Sequence, residues 1–240
     1  IIRVPPLHES TAKVSLHNMP RMSQEWILHE DDYIIVLNKP DGIPVHAGSK
    51  QNWGIVDLAS AYIDKKCYLV HRLDKAVSGI VVLTKTRQSC NEVIKQWHNQ
   101  NCNKHYQALV FGELTAKKTI DKPLPEKQSN NNTKPKLQAA ITSIKPIAST
   151  RSYSYIAIDI STGRYHQIRR HLAGSNLPLV GDIRYGDFTK NRIFTDEHGV
   201  KGLFLHASKL TFWHPEGYWF TLKAKWPETK LNWLKSNYSI

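Results

Sequence analysis

The stretch YLVHRLDKAVSGIVVLTKT, residues 68–86, decides how this part of the chain is predicted to fold. Its charged centre, residues 71–75, lies between the apolar pair Leu69-Val70 and the apolar run at residues 80–83. Short apolar runs rich in β-branched residues and bounded by polar residues indicate buried strands. The stretch therefore predicts a group of charged side chains held beside a rigid sheet, which is an arrangement typical of a functional site.

Outward from this stretch, most of the chain has the pattern of strands. Residues 25–48 predict two short strands separated by an acidic turn at 30–32, and KHYQALVFGEL, residues 104–114, predicts another. Further strands are predicted within AAITSIKPIA, SYSYIAIDIST, GLFLHASKLTFW and YWFTLKAKWP. Residues 86–100 predict a helix, because apolar residues recur there at intervals of three and four. Since there is no regular βαβ alternation, the sequence predicts an α+β fold with a mixed, largely antiparallel central sheet flanked by helices and loops.

The polar segments suggest how the chain is divided. LPEKQSNNNTKPK, residues 124–136, is poor in apolar residues, so a mobile loop is expected there, with an irregular path around 129–136. Residues 174–186 are expected to form a loop, and the basic and polar residues 187–202 that follow are expected to face solvent, as an ordinary surface insertion or as an RNA contact. We predict an N-terminal extension at residues 1–25, too short for a separate RNA-binding domain, and one catalytic domain at residues 26–240.

The charge of the chain favours a phosphate-rich partner. Lys and Arg number 33 against 20 acidic residues, which gives a formal net charge of +13. Such an excess favours nucleic acid, because each neutralised phosphate releases counterions. An ordinary basic enzyme remains the alternative, and the Trp and Tyr side chains suit base stacking or the core equally well.

Cysteine usage and hydropathy indicate the compartment. The three cysteines form no CxxC pair, which favours a reducing compartment and argues against a disulfide framework and a structural zinc. No apolar run approaches the length of a membrane span, about 18 residues. We therefore expect a cytoplasmic monomer with no membrane contact.

The first candidate site is centred on Asp74. In an extended segment Arg72 and Asp74 lie on one face and Leu73 on the other, so Leu73 can anchor the backbone while the charged pair faces a ligand. A carboxylate kept charged in a partly dry site is a nucleophile or a base. An ion pair at the end of a strand is the alternative, and these residues alone do not decide between the two.

The second candidate site lies in STGRYHQIRRHLA, residues 161–173. A helix starting at the Thr162-Gly163 turn is predicted, with one face buried: Tyr165, Ile168 and Leu172. His166 and Arg169 are three residues apart on another face, so both can point at one site. A basic amphipathic helix that grips phosphate by charge alone is the alternative.

Other chemistries lack support in the sequence. His166 and His171 have a spacing that suits neither one helix face nor a zinc motif, so no metal site is predicted. P-loop, GxGxxG and GxSxG motifs are absent, and no second acidic residue stands in a recognisable glycosidase motif.

Five motifs in order along the chain resemble those of the RluA family of pseudouridine synthases. HRLDKAVSGIVVLTK is similar to the family's HRLDxxTSGLLLLAK, and GRYHQIRRHL to its GRxHQIRxHL. KHYQALVFG, LFLHA and ILHEDDYIIVLNKPDGIPVH resemble three further motifs. The resemblance covers residues 26–227 and implies the pseudouridine synthase catalytic fold. Val77 departs from it, because the family has Thr at this position.

The resemblance also implies roles for single residues. Asp74 matches the catalytic aspartate, Tyr106 the active-site tyrosine that stacks on the base, and Arg169 the basic residue that pairs with the aspartate. Arg72 matches the arginine that fills the gap left by the flipped base, and Leu205 an apolar residue that lines the pocket. Two neighbours within the GRYHQIRRHL motif complete the predicted substrate-binding set: Arg164 and His166. No cofactor is implied.

The likeness is strongest to the branch that modifies uridine 65 of tRNA. That branch has a similar HQxRRHLA, a GD followed by HGD and NR, and an LHASxL. Tyr185 stands where the branch has His. The resemblance thus implies an RNA isomerase acting on tRNA, with an rRNA enzyme as the second possibility and a non-catalytic RNA-binding or chaperone protein as the third.

Overall fold

A computed structural model describes residues 19–48, 51–99, 101–126 and 135–238. They divide into two compact units, the first within Ile1–Cys102 and Lys209–Lys225, the second within Asn103–Ser208 and Trp226–Ile240. The described residues between 113 and 150 all belong to the second unit, so the predicted loop is not at a boundary between the units. One catalytic domain over residues 26–240 stays a prediction, as does the extension at residues 1–25, of which residues 1–18 lie outside the described part.

The first unit is built around two strands that are buried along their length. β2 and β4 pair side by side and antiparallel, β1 pairs with the other edge of β2, and β3 pairs with the other edge of β4. A hairpin of β11 and β12 also contributes, since the last five residues of β11 belong to this unit. The bounds are β1 Ile27–Glu30, β2 Ile34–Lys39, α1 Ile55–Tyr62, β3 Tyr68–Leu69, β4 Ser78–Thr84, α2 Arg87–His98, β11 Leu205–Trp213 and β12 Trp219–Lys223.

Continuous apolar runs explain why β2 and β4 lie at the centre of this unit. A strand covered on both faces needs apolar residues at consecutive positions, and both strands have them. They pack with α2 and the β11–β12 hairpin in one core, whose buried members include Ile34, Val36, Val82, Val93, Trp97 and Phe212. The ends of β2 and β4 are thereby fixed, and the loops that leave them are held in place.

In the second unit β10 lies between β5 and β9, and β9 also pairs with β6. β7 and β8 form a separate short ladder, and these pairings are all antiparallel. The bounds are β5 Asn103–Phe111, β6 Lys118–Asp121, β7 Leu124–Pro125, β8 Leu137–Gln138, β9 Ile141–Ser149, β10 Tyr153–Ile160, α3 Gln167–Ala173, α4 Phe188–His198 and α5 Glu228–Asn237. The predicted α+β class with a large, mostly antiparallel sheet is confirmed.

Aromatic side chains dominate the core of the second unit. Phe194 of α4 and Trp233 of α5 lie 5.1 Å apart between ring centroids, and both rings also pack against Phe204. Large rings bury much area per residue. Two short helices are thus held on the sheet by few side chains.

Local structure differs from the predictions in several places. α3 begins at Gln167 and not at Thr162-Gly163, because His166 has a left-handed backbone with φ 50° and interrupts the helical path. Residues 187–202 contain α4, a helix that was not predicted, and α5, also not predicted, follows the last predicted strand. Within residues 124–136, Leu124–Pro125 form a strand, while the irregular path expected at 129–136 lies outside the described residues except at its last two positions.

Candidate active site

Asp74 lies in a short loop between β3 and β4 of the first unit. Its side chain is half-buried, whereas Leu73 is buried and Arg72 is exposed, as expected if Leu73 anchors this segment. The backbone N–H of Val77 donates to the carbonyl of Asp74 at 3.0 Å and closes a turn immediately before β4 begins. The fixed end of a buried strand thus holds the backbone of the candidate nucleophile.

Lys39 ties this loop to the turn after β2. Its side chain is fully buried, and its ammonium donates to the carbonyls of Pro40, Ile43 and Lys75 at 2.8, 2.8 and 3.3 Å. The backbone N–H of Gly42 donates to the same Lys75 carbonyl at 2.8 Å. A buried ammonium is costly unless its N–H groups are paired, so these carbonyls define where both segments lie.

The replacement of the family's Thr by Val77 leaves this turn intact. The Val77 side chain is buried, and the hydrogen bond that closes the turn uses its backbone N–H. The turn therefore does not depend on a hydroxyl at this position.

Tyr106 and Leu205 lie on strands of the second unit. Tyr106 is half-buried in β5, where its backbone is paired with Ile158 of β10. Leu205 is buried at the start of β11. Both positions are fixed by the sheet, which suits residues that must hold a ring or a base in place.

The turn before α3 is held by the side chain of Gln167. Its Oε1 accepts from the Thr162 hydroxyl at 2.8 Å and from the backbone N–H of Arg164 at 3.0 Å. Its Nε2 donates to the carbonyl of Ile141 and to the hydroxyl of Thr142. One buried amide thus uses all its hydrogen-bonding capacity to place the turn against β9.

His166 and Arg164 project from this turn. The His166 ring stacks on Tyr165 with centroids 3.7 Å apart, and its Nδ1 lies 3.0 Å from the hydroxyl of Tyr185. Nε of Arg164 donates to the carbonyl of Ala139 at 2.9 Å. Both side chains are half-buried and have fixed positions.

Arg169 forms a two-pronged ion pair with Asp182. Its Nε and Nη2 donate to the two carboxylate oxygens at 2.8 Å each, and both side chains are buried. The guanidinium also lies 5.2 Å from the centre of the Tyr185 ring. His166 and Arg169, predicted to face one site, thus both contact Tyr185.

Asp182 also organises the loop that follows it. Its Oδ1 accepts from the backbone N–H groups of Arg184 and Tyr185 at 2.9 and 3.0 Å. Burial alone raises the pKa of this carboxyl, but Arg169 and the two backbone N–H groups outweigh burial and hold the pKa below its ordinary value. Asp182 is therefore an anion that fixes both Arg169 and the loop.

The remaining histidines of interest have defined hydrogen bonds. The ring nitrogens of His171 lie 2.9 Å from the Thr142 hydroxyl and 2.9 Å from the Lys122 carbonyl, and burial lowers its pKa. In the first unit, the Nε2 atoms of His29 and His214 lie 2.6 and 3.0 Å from Oδ2 of Asp31. These three side chains have donor atoms suited to a metal ion, a cluster that the sequence did not predict.

The predicted residues fall in both units. Arg72 and Asp74 belong to the first unit, and the second holds the others: Tyr106, Arg164, His166, Arg169 and Leu205. Two supporting residues were not predicted: Lys39, which holds the loop of Asp74 in the first unit, and Asp182, which holds Arg169 in the second. The sequence signal that could have found Asp182 is its position directly after Gly181. Asp in a turn commonly accepts hydrogen bonds from the backbone N–H groups that follow it, as Asp182 does from Arg184 and Tyr185.

Comparisons with known proteins show which family the chain resembles. The RNA pseudouridylate synthase family matches residues 33–174. "Ribosomal large subunit pseudouridine synthase C" of Vibrio vulnificus is 33% identical over 90% of this chain and 71% of its own length. "tRNA pseudouridine synthase C" of Vibrio cholerae is 31% identical over 79% of this chain and 85% of its own length. The solved structure "Human RNA Pseudouridylate Synthase Domain Containing 4" has a TM-score of 0.73 and 26% identity, covering 88% of this chain and 92% of that one.

The chain belongs to the RNA pseudouridylate synthase family. It is an RNA pseudouridine synthase, an isomerase that converts uridine in RNA to pseudouridine. Membership of this enzyme family disfavours the non-catalytic alternative. Among the described residues, no helix combines the length and apolar character needed to cross a bilayer.

Proposed function

We propose that this pseudouridine synthase acts on tRNA, at uridine 65, as a cytoplasmic monomer. The observation that carries the choice of tRNA is the role of Asn191, which belongs to the NR that this chain shares with the tRNA branch. Its Oδ1 accepts from the backbone N–H of Gly181 at 2.7 Å, and its Nδ2 donates to the carbonyl of Asp182 at 3.1 Å. Asn191 of the shared NR thus holds both residues of the shared GD, and Asp182 among them binds Arg169.

The reaction assigns a task to each predicted residue. Asp74 attacks the target nucleoside as the N1–C1′ glycosidic bond breaks, and Arg169 is the basic residue of the active site. The base then turns, C5 bonds to C1′ as the bond between Asp74 and C1′ breaks, and the proton lost from C5 is balanced by one gained at N1. Product and substrate are isomers, so the conversion has no net need for an oxidant or a nucleotide.

The remaining residues hold the RNA and the base. Tyr106 stacks on the base and assists removal of the C5 proton, while Leu205 forms an apolar wall of the pocket. Arg72 is exposed and fills the place that the base leaves in its stack. Arg164 and His166 contact the RNA from the turn before α3.

Ribosomal RNA is the second candidate. It is favoured by the Vibrio vulnificus relative, which is named for the large ribosomal subunit and matches 90% of this chain. The identities of 33% and 31% to the two named relatives do not separate the two RNA classes.

The choice of substrate is tested with purified RNAs that lack modifications. We expect the protein to form pseudouridine at position 65 of tRNA transcripts without added metal, nucleotide or guide RNA, as mapped by sequencing after pseudouridine-specific chemical labelling. Modification of 23S rRNA fragments with none in any tRNA contradicts the tRNA proposal and leaves the enzyme class intact.

The role of Asp74 is tested by Asp74→Asn, which keeps the size of the side chain and removes the attacking charge. We expect turnover to fall below detection, while RNA affinity and thermal stability change little. Asp64→Asn, the same substitution at an exposed residue of this unit, is the control and should keep full activity. A folded Asp74→Asn protein that still forms pseudouridine rules out the nucleophile assignment.

A further inference from the structure

Two large apolar side chains near Asp182 are unusually exposed. Ile183 is 93% exposed and Phe188 is 78% exposed, the two highest values among the exposed large hydrophobic residues in the described part of the chain. They mark the ends of a segment, residues 183–188, that connects Asp182 to the first residue of α4. We refer to this segment as the 183–188 loop.

The backbone of this loop is held firmly, so the exposure of Ile183 is a fixed feature. Asp182 accepts from the backbone N–H groups of Arg184 and Tyr185, and its carbonyl accepts from the N–H of Gly186 at 3.0 Å. A side chain at position 186 has no room, because an added Cβ would lie 2.3 Å from that carbonyl. A rigid loop that presents an apolar side chain to water is pre-organised for a partner.

The surroundings of the loop are cationic. Arg184 is exposed, and its guanidinium lies 5.8 and 5.5 Å from the ring centres of Tyr165 and Tyr185, while its Nη1 donates to the Tyr165 hydroxyl at 3.1 Å. Lys190 and Arg192 are exposed on α4. Asp187, the acidic residue of the loop, is occupied as the cap of α4 and accepts from the backbone N–H of Lys190. Positive charge beside exposed apolar groups is complementary to the phosphates and base faces of RNA.

The loop is also joined to the residues proposed to act on the substrate. Asp182, at its base, binds Arg169, and Tyr185 within it contacts both Arg169 and His166. RNA bound by these residues would place its neighbouring nucleotides within reach of the loop.

We propose that the 183–188 loop is a contact site for the substrate RNA, in which Ile183 and Phe188 pack against unstacked bases beside the target uridine and Arg184 pairs with phosphate. The proposal rests on the proposed function, because it takes RNA as the ligand. Apolar side chains inserted beside bases stabilise the distorted RNA that base extraction requires. A second copy of this chain or another protein is the competing occupant.

The test compares Ile183→Ser and Phe188→Ser with the wild type and with Ile147→Ser. Ile147 is 41% exposed on β9, so the control removes an exposed apolar side chain outside the loop. We expect each loop variant to raise the dissociation constant for tRNA and the KM about tenfold, with kcat at saturation within twofold and an unchanged melting temperature. Ile147→Ser should match the wild type.

Two results overturn the proposal. Unchanged affinity for RNA in both loop variants shows that the side chains do not contact it. A wild type that is dimeric by light scattering and becomes monomeric on Ile183→Ser shows that the loop binds another copy. The dissociation constant does not depend on turnover, so it tests the contact site by itself. If no RNA acquires pseudouridine, the proposed function is refuted by that separate measurement.

Discussion

The carboxylate of Asp182 accepts four hydrogen bonds, two from the guanidinium of Arg169 and two from backbone N–H groups of the loop that follows it. The sequence predicted Arg169 from its motif but did not predict this partner. The reason is physical: the pair spans 13 residues, and their contact depends on the path of the intervening chain. The motif thus identifies residues of the site such as Arg169. The residues that hold them in place, such as Asp182, depend on the geometry of the loop and are not visible in the motif.

Asp182→Asn is expected to destabilise the protein by about 3 kcal/mol at pH 7, because it removes a buried carboxylate that forms a two-pronged ion pair with a buried guanidinium. Folding lowers the pKa of Asp182 below its unfolded value of 3.8, so its contribution is complete above that pH and is lost as the pH falls through the folded pKa. Urea unfolding at pH 7 and pH 3 should therefore show a stability difference that shrinks in acid. Asp196→Asn, at an exposed position of α4, is the control and should have almost no effect. A difference independent of pH would mean that Asp182 is not the titrating group.

Among the elements, α4 shows why a helix can be missed. Its only buried residue is Phe194, so it lacks the recurrent apolar positions by which α2 was predicted. Its ends carried the usable signal. The side chain of Asp187 caps the first turn, and Gly199 ends the helix with a left-handed φ of 68°. These are residues that favour helix ends.

Asp187→Ala is expected to destabilise the protein by about 1 kcal/mol through loss of this cap, which lowers the melting temperature by about 2–4 °C in a protein of this size. The control is Thr189→Ala, an exposed first-turn position that is not the cap. Calorimetry measures the melting temperatures of the two variants, and Asp187→Ala should melt at the lower temperature. Equal melting temperatures would show that the cap does not stabilise α4.

The α3 start illustrates the opposite error. The Tyr165, Ile168 and Leu172 spacing predicted a longer helix, but only Ile168 and Leu172 are on the helix and fully buried. The hydrogen bonds of Gln167 and the left-handed His166 end the helical path. Periodicity does not reveal a turn stabilised by a side chain from the helix itself.

At the scale of the whole molecule, the net charge follows directly from the sequence, and the fold class was the structural property best predicted from it. Strand patterns gave the α+β class because runs such as residues 34–37 are apolar at every position and fully buried. The division into two units was not predicted, because it depends on contacts between segments far apart in the chain, such as the packing of the β11–β12 hairpin in one core with β2 and β4 of the first unit.

The net charge of +13 predicts strongly salt-dependent RNA binding. The logarithm of the association constant should fall linearly with the logarithm of salt concentration, with a slope of about 0.7 to 0.9 per phosphate contact. Filter binding of tRNA between 50 and 300 mM potassium chloride measures this slope. Arg184→Gln should reduce the slope by the amount that corresponds to about one phosphate contact, and Ile183→Ser should leave the slope unchanged. Binding that does not depend on salt would contradict an electrostatic RNA interface.

The buried ammonium of Lys39 also has a consequence for the order of folding. It joins the turn after β2 to the carbonyl of Lys75, 36 residues away in the chain. The pairing of β2 with β4 closes a loop of similar length and meets the entropic cost of closure first, because it forms several hydrogen bonds together. The segment carrying Asp74 is therefore expected to become ordered late, after β2 and β4 have paired. Pulsed hydrogen exchange during refolding should show the amide of Gly42, which donates to the same carbonyl, becoming protected after the amides of the β2–β4 ladder.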